Sequence, residues 1–218
     1  TGKAYSASEL SALGEVIKAN PHVLVATDDI YEHIYWGQEP LVNLVALCPE
    51  LKDRAIIING VSKAYAMTGW RIGYIISDNL EAMKQIIKMQ YYITACSNDA
   101  MQYAVLAALE HAADYPEIIA KEFQQRCDLI VGRLNAMPGV ECHKPKGAIY
   151  VFPKVKVEGM NSEEIALELL KDGVLCSPGS AFGPSGEGHL RFAYTISKED
   201  IEIGMDKVEQ SLLGGQNC

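Results

Sequence analysis

The segment that most constrains how this chain can fold is residues 62–74, which leads from one short apolar run into the next. The two runs are residues 55–58 and 72–76, and short apolar runs bounded by turn residues predict buried strands. Between them lie a lysine, an arginine, hydroxyl residues and glycine. Because polar groups are costly to bury between core strands without partners, this content favours a functional segment over a solvated surface loop.

The two cations of this segment suggest its chemistry. Partial burial of a lysine such as Lys63 favours the neutral amine, which is the nucleophilic form. Arg71 follows eight residues later and offers a planar, permanently charged group that suits a phosphate or a carboxylate. A surface loop with solvated cations is the alternative that the hydrophobic pattern alone leaves open.

The run S-K-A-Y-A-M-T-G-W-R-I-G-Y resembles the lysine segment of the class I, aspartate aminotransferase-like enzymes, which use pyridoxal phosphate (PLP). In that family the lysine forms a Schiff base with PLP and the arginine holds its phosphate, which implies these roles for Lys63 and Arg71. Many members also carry a phosphate-contacting serine three residues before the lysine. This chain has Gly60 there, so Ser62 is the substitute contact that the sequence offers.

A carboxylate follows an earlier β-rich run, residues 23–27. Asp28 stands where a buried strand ends, which is the edge at which open α/β sheets bind ligands, and Tyr31 is one turn further on. The run D-D-I-Y-E-H resembles the family's D-E-I-Y-E-H, which implies that Asp28 pairs with the pyridine nitrogen of PLP and that Tyr31 contacts its phenolic oxygen. A turn-capping role is the alternative for Asp28, and solvated or capping roles are expected for Asp29 and Glu32.

A late segment carries a second arginine within an apolar strand of alternating character. Arg191 in such a strand needs an anionic partner. The runs P-G-S-A-F-G and H-L-R-F-A-Y resemble the family's P-G-x-x-F-G and G-x-V-R-L-S-Y, which implies that Arg191 binds the α-carboxylate of the substrate. A structural salt bridge is the alternative for this residue.

The composition excludes several other classes of protein. The 218 residues carry 19 basic and 28 acidic side chains, and the formal charge of −9 argues against nucleic-acid binding. No apolar run approaches membrane-spanning length. The six cysteines are scattered without metal-ligand spacing, so we expect no metal site, reduced thiols and a cytoplasmic location.

The resemblance also implies a fold and a domain plan. We expect the α/β fold of the PLP-dependent aspartate aminotransferase type (fold type I), with residues 1–114 in a large, mainly parallel-sheet domain and residues 115–218 in a small α+β domain. Thr1-Gly2 resembles the second half of the family's N-P-T-G motif, which implies a C-terminal portion of such an enzyme. The 218-residue chain alone is therefore expected to be inactive or to bind PLP weakly.

The function implied is transfer of an amino group between an L-amino acid, aspartate or similar, and a 2-oxo acid, with the active sites at a homodimer interface. Two alternatives stay open on the sequence. One is other PLP chemistry on the same fold, such as a C–S lyase. The other is a PLP-binding sensor domain of a transcription regulator.

The hydrophobic pattern predicts further elements. A helix capped by Ser6 or Ser8 ends at Asn20-Pro21, and a long helix begins near Tyr115. A helix over residues 79–94 is expected to bury its apolar side, and short strands are expected at residues 140–142, 148–153 and 174–176. The members of that apolar side are Leu80, Met83, Ile86, Ile87 and Met89.

Overall fold

A computed structural model of the protein describes residues 2–214, so Thr1 and Cys218 lie outside the described residues. The chain divides into two compact units after Ala120. The first unit comprises Tyr5–Ala120, and the second takes the chain from Lys121 onward together with residues 2–4. The division falls inside a long helix, a few residues beyond the domain boundary that the sequence predicts.

Within residues 2–214 the helices and strands follow one another in a mixed order. The α-helices are α1 (Ala7–Ala19), α2 (Leu44–Leu47), α3 (Leu80–Thr94), α4 (Asp99–His111), α5 (Tyr115–Ala136), α6 (Ser162–Lys171) and α7 (Lys198–Gly214). The strands are β1 (Val25–Asp28), β2 (Ala55–Gly60), β3 (Gly73–Ile76), β4 (Val140–Glu141), β5 (Tyr150–Val151), β6 (Lys154–Val155), β7 (Ser177–Pro178) and β8 (Leu190–Ala193). None of these helices has the length and apolar character that a membrane span requires.

The first unit is built on a three-stranded sheet of order β1-β2-β3. Strands β1 and β2 run parallel, and β2 and β3 run antiparallel. The α1 helix begins as predicted, since Ser6 forms a capping box with Glu9, and it ends at Ala19 before Asn20. Its partly buried Leu10 and Ile17 pack against a small core of α2 and the turn after it.

Two burial predictions in the first unit are wrong. Strand β3 begins at Gly73 and is not buried, because it lies at the edge of the sheet with Tyr74 43% and Ile76 55% exposed. Helix α3 has no buried residue, and Leu80 and Ile87 are 72% and 64% exposed. Helical periodicity identifies an apolar face, but it carries no information about which element covers that face.

The second unit has its own core. The apolar residues of α5 that lie in this unit include Cys127, Ile130 and Leu134 at 0–2% exposure, whereas Ile118, near the start of the helix, is 56% exposed. Other buried residues of this unit come from α6, α7, β5, β8 and the residue after β8. The most deeply buried of these are Val151, Leu169, Leu190, Tyr194 and Val208.

The strands of the second unit form a three-stranded sheet of order β5-β8-β7, with antiparallel pairs, and a separate β4-β6 pair. The strand predicted at residues 174–176 is wrong. The amide of Val174 donates to the carbonyl of Leu169 at 2.8 Å, so this residue still closes the end of α6. Gly173 turns the chain with φ +83°, and strand β7 begins at Ser177.

Candidate active site

Two parallel strands bring the first site residues to one edge of the sheet. Asp28 is the last residue of β1 and pairs in register with Ile58 of β2. Strand β2 ends at Gly60, and Ser62 and Lys63 follow directly. Because carboxyl ends of parallel neighbours meet at the same sheet edge, the acid and the lysine segment leave the sheet on the same side. Asp28 is exposed there.

Lys63 and Tyr31 are in direct contact. The Lys63 Nζ lies 5.8 Å from the centroid of the Tyr31 ring, within the range of a cation–π interaction. Both side chains are partly buried. The structure thus brings together the amine and the phenol that the two separate sequence motifs single out.

The backbone before the lysine is tightly packed. A Cβ built on Gly60 would come within 2.9 Å of the Gly73 Cα and 3.0 Å of the Ile72 carbonyl oxygen. Asn59, which is 7% exposed, accepts a hydrogen bond from the Gly60 amide at 2.7 Å and donates to Glu32 Oε1 at 2.5 Å. The glycine that replaces the family's serine therefore occupies a place with no room for a side chain.

Arg71 follows a short 3₁₀ turn, Thr68–Trp70. Its backbone is left-handed, with φ +56°, and its Nη1 donates to the Thr68 carbonyl at 2.8 Å. The side chain is exposed. This hydrogen bond folds the guanidinium back onto its own turn.

Two acids next to the predicted site are less solvated than expected. Asp29 accepts a hydrogen bond from Asn43 Nδ2, and partial burial raises the pKa of its carboxyl. Glu32 accepts the hydrogen bond from Asn59. The prediction of solvated or capping roles for both acids is therefore wrong. Their hydrogen-bond partners lie 14 and 27 positions away in the chain, where a local sequence pattern does not reveal them.

The first unit contains a cavity of about 590 Å³. The residues that line it include Asp29, Glu32, Asn43 and Tyr65. Asp28, Tyr31 and Lys63 are not among the residues that line it. Within residues 2–214 no group of three or more His, Cys, Asp or Glu side chains is arranged to hold a metal ion.

Arg191 belongs to the second unit, where it occupies the central strand β8. Its guanidinium carbon Cζ lies 4.5 Å from the centroid of the Tyr150 ring and 4.3 Å from that of the Phe182 ring. The structural salt bridge that the sequence leaves open as an alternative is not observed, since no carboxylate contacts Arg191 in the described part of the chain.

Sequence reasoning missed the two rings on Arg191 as functional candidates. Tyr150 lies in the run G-A-I-Y and Phe182 in the run P-G-S-A-F-G, so both belong to family-like segments. The sequence signal that could have identified them is the aromatic residue in each of these runs. Neither run shows by itself that the two rings meet one arginine.

The family model of the class I and II aminotransferases matches residues 1–208. The chain therefore belongs to the class I and II aminotransferase family. An aspartate aminotransferase of Rhizobium meliloti (strain 1021) is 38% identical over 219 residues, which cover 95% of this chain and 53% of that protein.

Solved structures agree with the family. An aspartate aminotransferase from Rhizobium meliloti matches 97% of this chain and 55% of its own with 35% identity and a TM-score of 0.89. An aromatic aminotransferase from Pyrococcus horikoshii OT3 matches 99% of this chain and 58% of its own with 32% identity and a TM-score of 0.91. The predicted α/β fold of the aspartate aminotransferase type is confirmed, and the chain spans about half the length of the relatives it matches.

Proposed function

We propose that the protein is a PLP-dependent aminotransferase that moves an amino group between an L-amino acid and a 2-oxo acid. The observation that carries the proposal is the contact of Lys63 Nζ with the Tyr31 ring, 5.8 Å to its centroid. Asp28 ends its strand at the same edge of the sheet. The amine, the phenol and this carboxylate can each contact a different part of PLP.

The donor set fits PLP group by group. The Lys63 amine suits the cofactor's aldehyde, the Asp28 carboxylate its pyridine nitrogen and the Tyr31 hydroxyl its phenolic oxygen. Arg71 and Ser62 suit its phosphate, as a permanent cation and a hydroxyl donor. When bound, PLP supplies an electrophilic carbon and an electron-withdrawing ring.

Lys63, Asp28 and Tyr31 have different roles in this proposal. Lys63 would hold the cofactor through its amine, and the same amine, when free, would move a proton to and from the substrate Cα. Asp28 keeps the ring nitrogen protonated by placing a negative charge beside it. Tyr31 donates a hydrogen bond to the ring oxygen.

Arg191 binds the α-carboxylate of the amino acid. Its position on β8 and its contacts with two rings rather than with an acid leave its positive charge uncompensated within the described residues. A guanidinium binds a carboxylate through two parallel hydrogen bonds, which fixes the orientation of the substrate. Aspartate is the first donor to examine, because an aspartate aminotransferase is among the relatives.

The proposal includes a second copy of the chain and a cytoplasmic location. The exposed aromatic end of α3, with Tyr91 68% and Tyr92 74% exposed, provides apolar area for a homodimer contact. The five described cysteines carry free thiols, which fits a reducing compartment. Sedimentation measurements on the purified full-length protein test the dimer.

The test of function uses the full-length protein with added PLP. Absorbance spectra before and after borohydride reduction, followed by peptide mapping, locate the reduced adduct. We expect it on Lys63, and we expect L-aspartate to be converted with a 2-oxo acid acceptor. Tyr31→Phe should lower turnover about tenfold, because one hydrogen bond to a charged oxygen is lost.

Matched variants separate the site from other lysines. Lys63→Arg should abolish the adduct, whereas Lys84→Arg, at an exposed lysine of α3, should leave it unchanged. An adduct that persists in Lys63→Arg contradicts the proposal. So does an unaltered protein that forms the adduct and converts none of a panel of amino acids into 2-oxo acids.

A further inference from the structure

The arrangement around Arg191 follows from the register of β8. Tyr150 of β5 pairs with Ala193, and Arg191 precedes Ala193 by two residues, so Tyr150 and Arg191 share one face of the sheet. The intervening Phe192 points to the other face and is 4% exposed. One face of β8 therefore packs the core, and the other presents the arginine beside a tyrosine.

Phe182 approaches the same guanidinium from the 3₁₀ turn Gly179–Phe182. Its ring centroid lies 4.3 Å from the Arg191 Cζ, yet the side chain is 49% exposed. Phe152 meets the Phe182 ring edge to face, with 5.9 Å between centroids. Half of the Phe182 surface remains in solvent, so the ring is not a core residue, and its contacts are those with Arg191 and Phe152.

The turn that carries Phe182 is held on both sides. The Gly179 amide donates to the His189 carbonyl at 2.8 Å, and a Cβ on Gly179 would come within 2.0 Å of the Gly186 carbonyl oxygen. The Ser180 amide donates to the Oγ of Ser162 at 3.3 Å, and Ser162 is 0% exposed. This close packing fixes the turn from which the ring extends.

An aromatic ring holds a cation differently from a carboxylate. The ring attracts the guanidinium through its negative face, and it neither neutralises the charge nor occupies the N–H donors as an acid does. Arg191 has such ring contacts and no carboxylate contact within residues 2–214. Its orientation is thus restricted while its charge stays available to a ligand.

We propose that Phe182 is a positioning residue for Arg191, which it orients before the substrate α-carboxylate binds. The proposal rests on the proposed function, in which Arg191 binds that carboxylate. A side chain that is already oriented loses less conformational freedom on binding, so the affinity for the carboxylate rises. The cofactor contacts of Lys63 do not depend on this ring.

The test compares Phe182→Leu with Phe182→Tyr in the full-length, PLP-loaded protein. The probes are α-methyl-L-aspartate, which has no Cα hydrogen and is titrated by calorimetry, and L-aspartate, for kcat and KM. Phe182→Leu should raise the Kd of the first and the KM of the second roughly tenfold, the upper range of a cation–π contact, with kcat nearly unchanged. Phe182→Tyr keeps the ring and should match the unaltered protein.

Arg191→Lys separates this inference from the proposed function. If Arg191→Lys weakens binding strongly while Phe182→Leu behaves like the unaltered protein, the positioning role is overturned and the function stands. If neither variant changes the Kd, the carboxylate role of Arg191 fails and this inference with it. A second variant, Phe182→Met, should raise the Kd as Phe182→Leu does, with an unchanged melting temperature. If both variants lower the melting temperature and leave the Kd unchanged, the positioning role is also overturned.

Discussion

Gly60 and Gly73 face each other in register across the antiparallel pair of β2 and β3, closer than any side chain would permit. A Cβ on Gly60 would lie 2.9 Å from the Gly73 Cα. The close approach lets β3 return beside β2 immediately after the lysine segment. A serine at position 60 would need the space that Gly73 occupies.

We therefore predict that Gly60→Ala lowers the free energy of unfolding by about 1–3 kcal/mol, the usual cost of forcing atoms into a packed site. Gly60→Ser should do the same without tightening PLP binding. The matched control is Gly69→Ala in the same segment, because a Cβ there meets no atom within 4 Å. Urea denaturation measures both variants, and equal losses for Gly60→Ala and Gly69→Ala would contradict the steric argument.

A second prediction concerns the acid stability of the second unit. Glu187 Oε1 accepts from the Ser162 amide at 2.7 Å, and Oε2 accepts from the Ser162 hydroxyl at 2.9 Å. The backbone hydrogen bonds of Ser162 and Gly188 lower the pKa of Glu187 from its ordinary value of 4.5. The folded state therefore favours the ionised carboxylate. Glu187 stabilises the fold fully at a pH above its ordinary pKa, and this stabilisation is lost as the pH falls through the lowered pKa of the folded protein.

Glu187→Gln should thus be less stable than the unaltered protein near neutral pH, and the difference should shrink as the pH falls below the ordinary value of 4.5. Denaturation curves from about pH 7 to about pH 3 measure this. Glu158→Gln, at an exposed residue in the turn before α6, is the control and should show a smaller pH dependence. A stability difference that stays constant over the whole range would count against the ionised contact.

The lysine segment could be predicted from the sequence because the residues that identify it lie next to one another in the chain. The positions of Lys63 and Arg71 follow from one continuous run of residues, and Asp28 follows from a strand end. The link between Ser162 and Glu187 joins residues 25 positions apart, and no periodicity encodes such a pair. The same limit hid the contacts of Asp29 and Glu32.

Burial was the less predictable quantity. In α5 Leu134 is 0% exposed, whereas α3, whose apolar residues also recur at helical spacing, leaves Met89 58% exposed. Helical periodicity alone does not distinguish a covered apolar face from an uncovered one. Which neighbours a helix has is a property of the tertiary fold.

A third prediction concerns Arg133 of α5, which binds three acids of α7. Its guanidinium donates to Glu202, to Asp206 at 2.6 Å and to Glu209 at 3.4 Å. The hydrogen bonds to Asp206 and then to Glu202 raise the pKa of Arg133. A network of charges with one shared cation is worth more than a single exposed pair, so Arg133→Gln should cost about 1 kcal/mol of unfolding free energy.

The control for Arg133 is Lys171→Gln, which breaks one exposed pair with Glu168 within α6 and should leave stability nearly unchanged. About 1 M salt shortens the screening length to about 3 Å and should reduce the loss in Arg133→Gln. Thermal and urea denaturation at low and high salt measure both effects. A salt-independent loss would assign the effect to packing of the arginine side chain instead.

The last prediction concerns the thiols. Burial raises the pKa of Cys127 to about 11 and that of Cys142 to about 12, and these residues are 0% and 5% exposed. Because the thiolate is the reactive form, neither should be alkylated by iodoacetamide in the folded protein. The exposed Cys96 should react first. Peptide mapping after a short reaction near about pH 8 separates the sites, and a parallel reaction in denaturant should modify all three. Early labelling of Cys127 without unfolding would show that the core of the second unit opens, contrary to its observed packing.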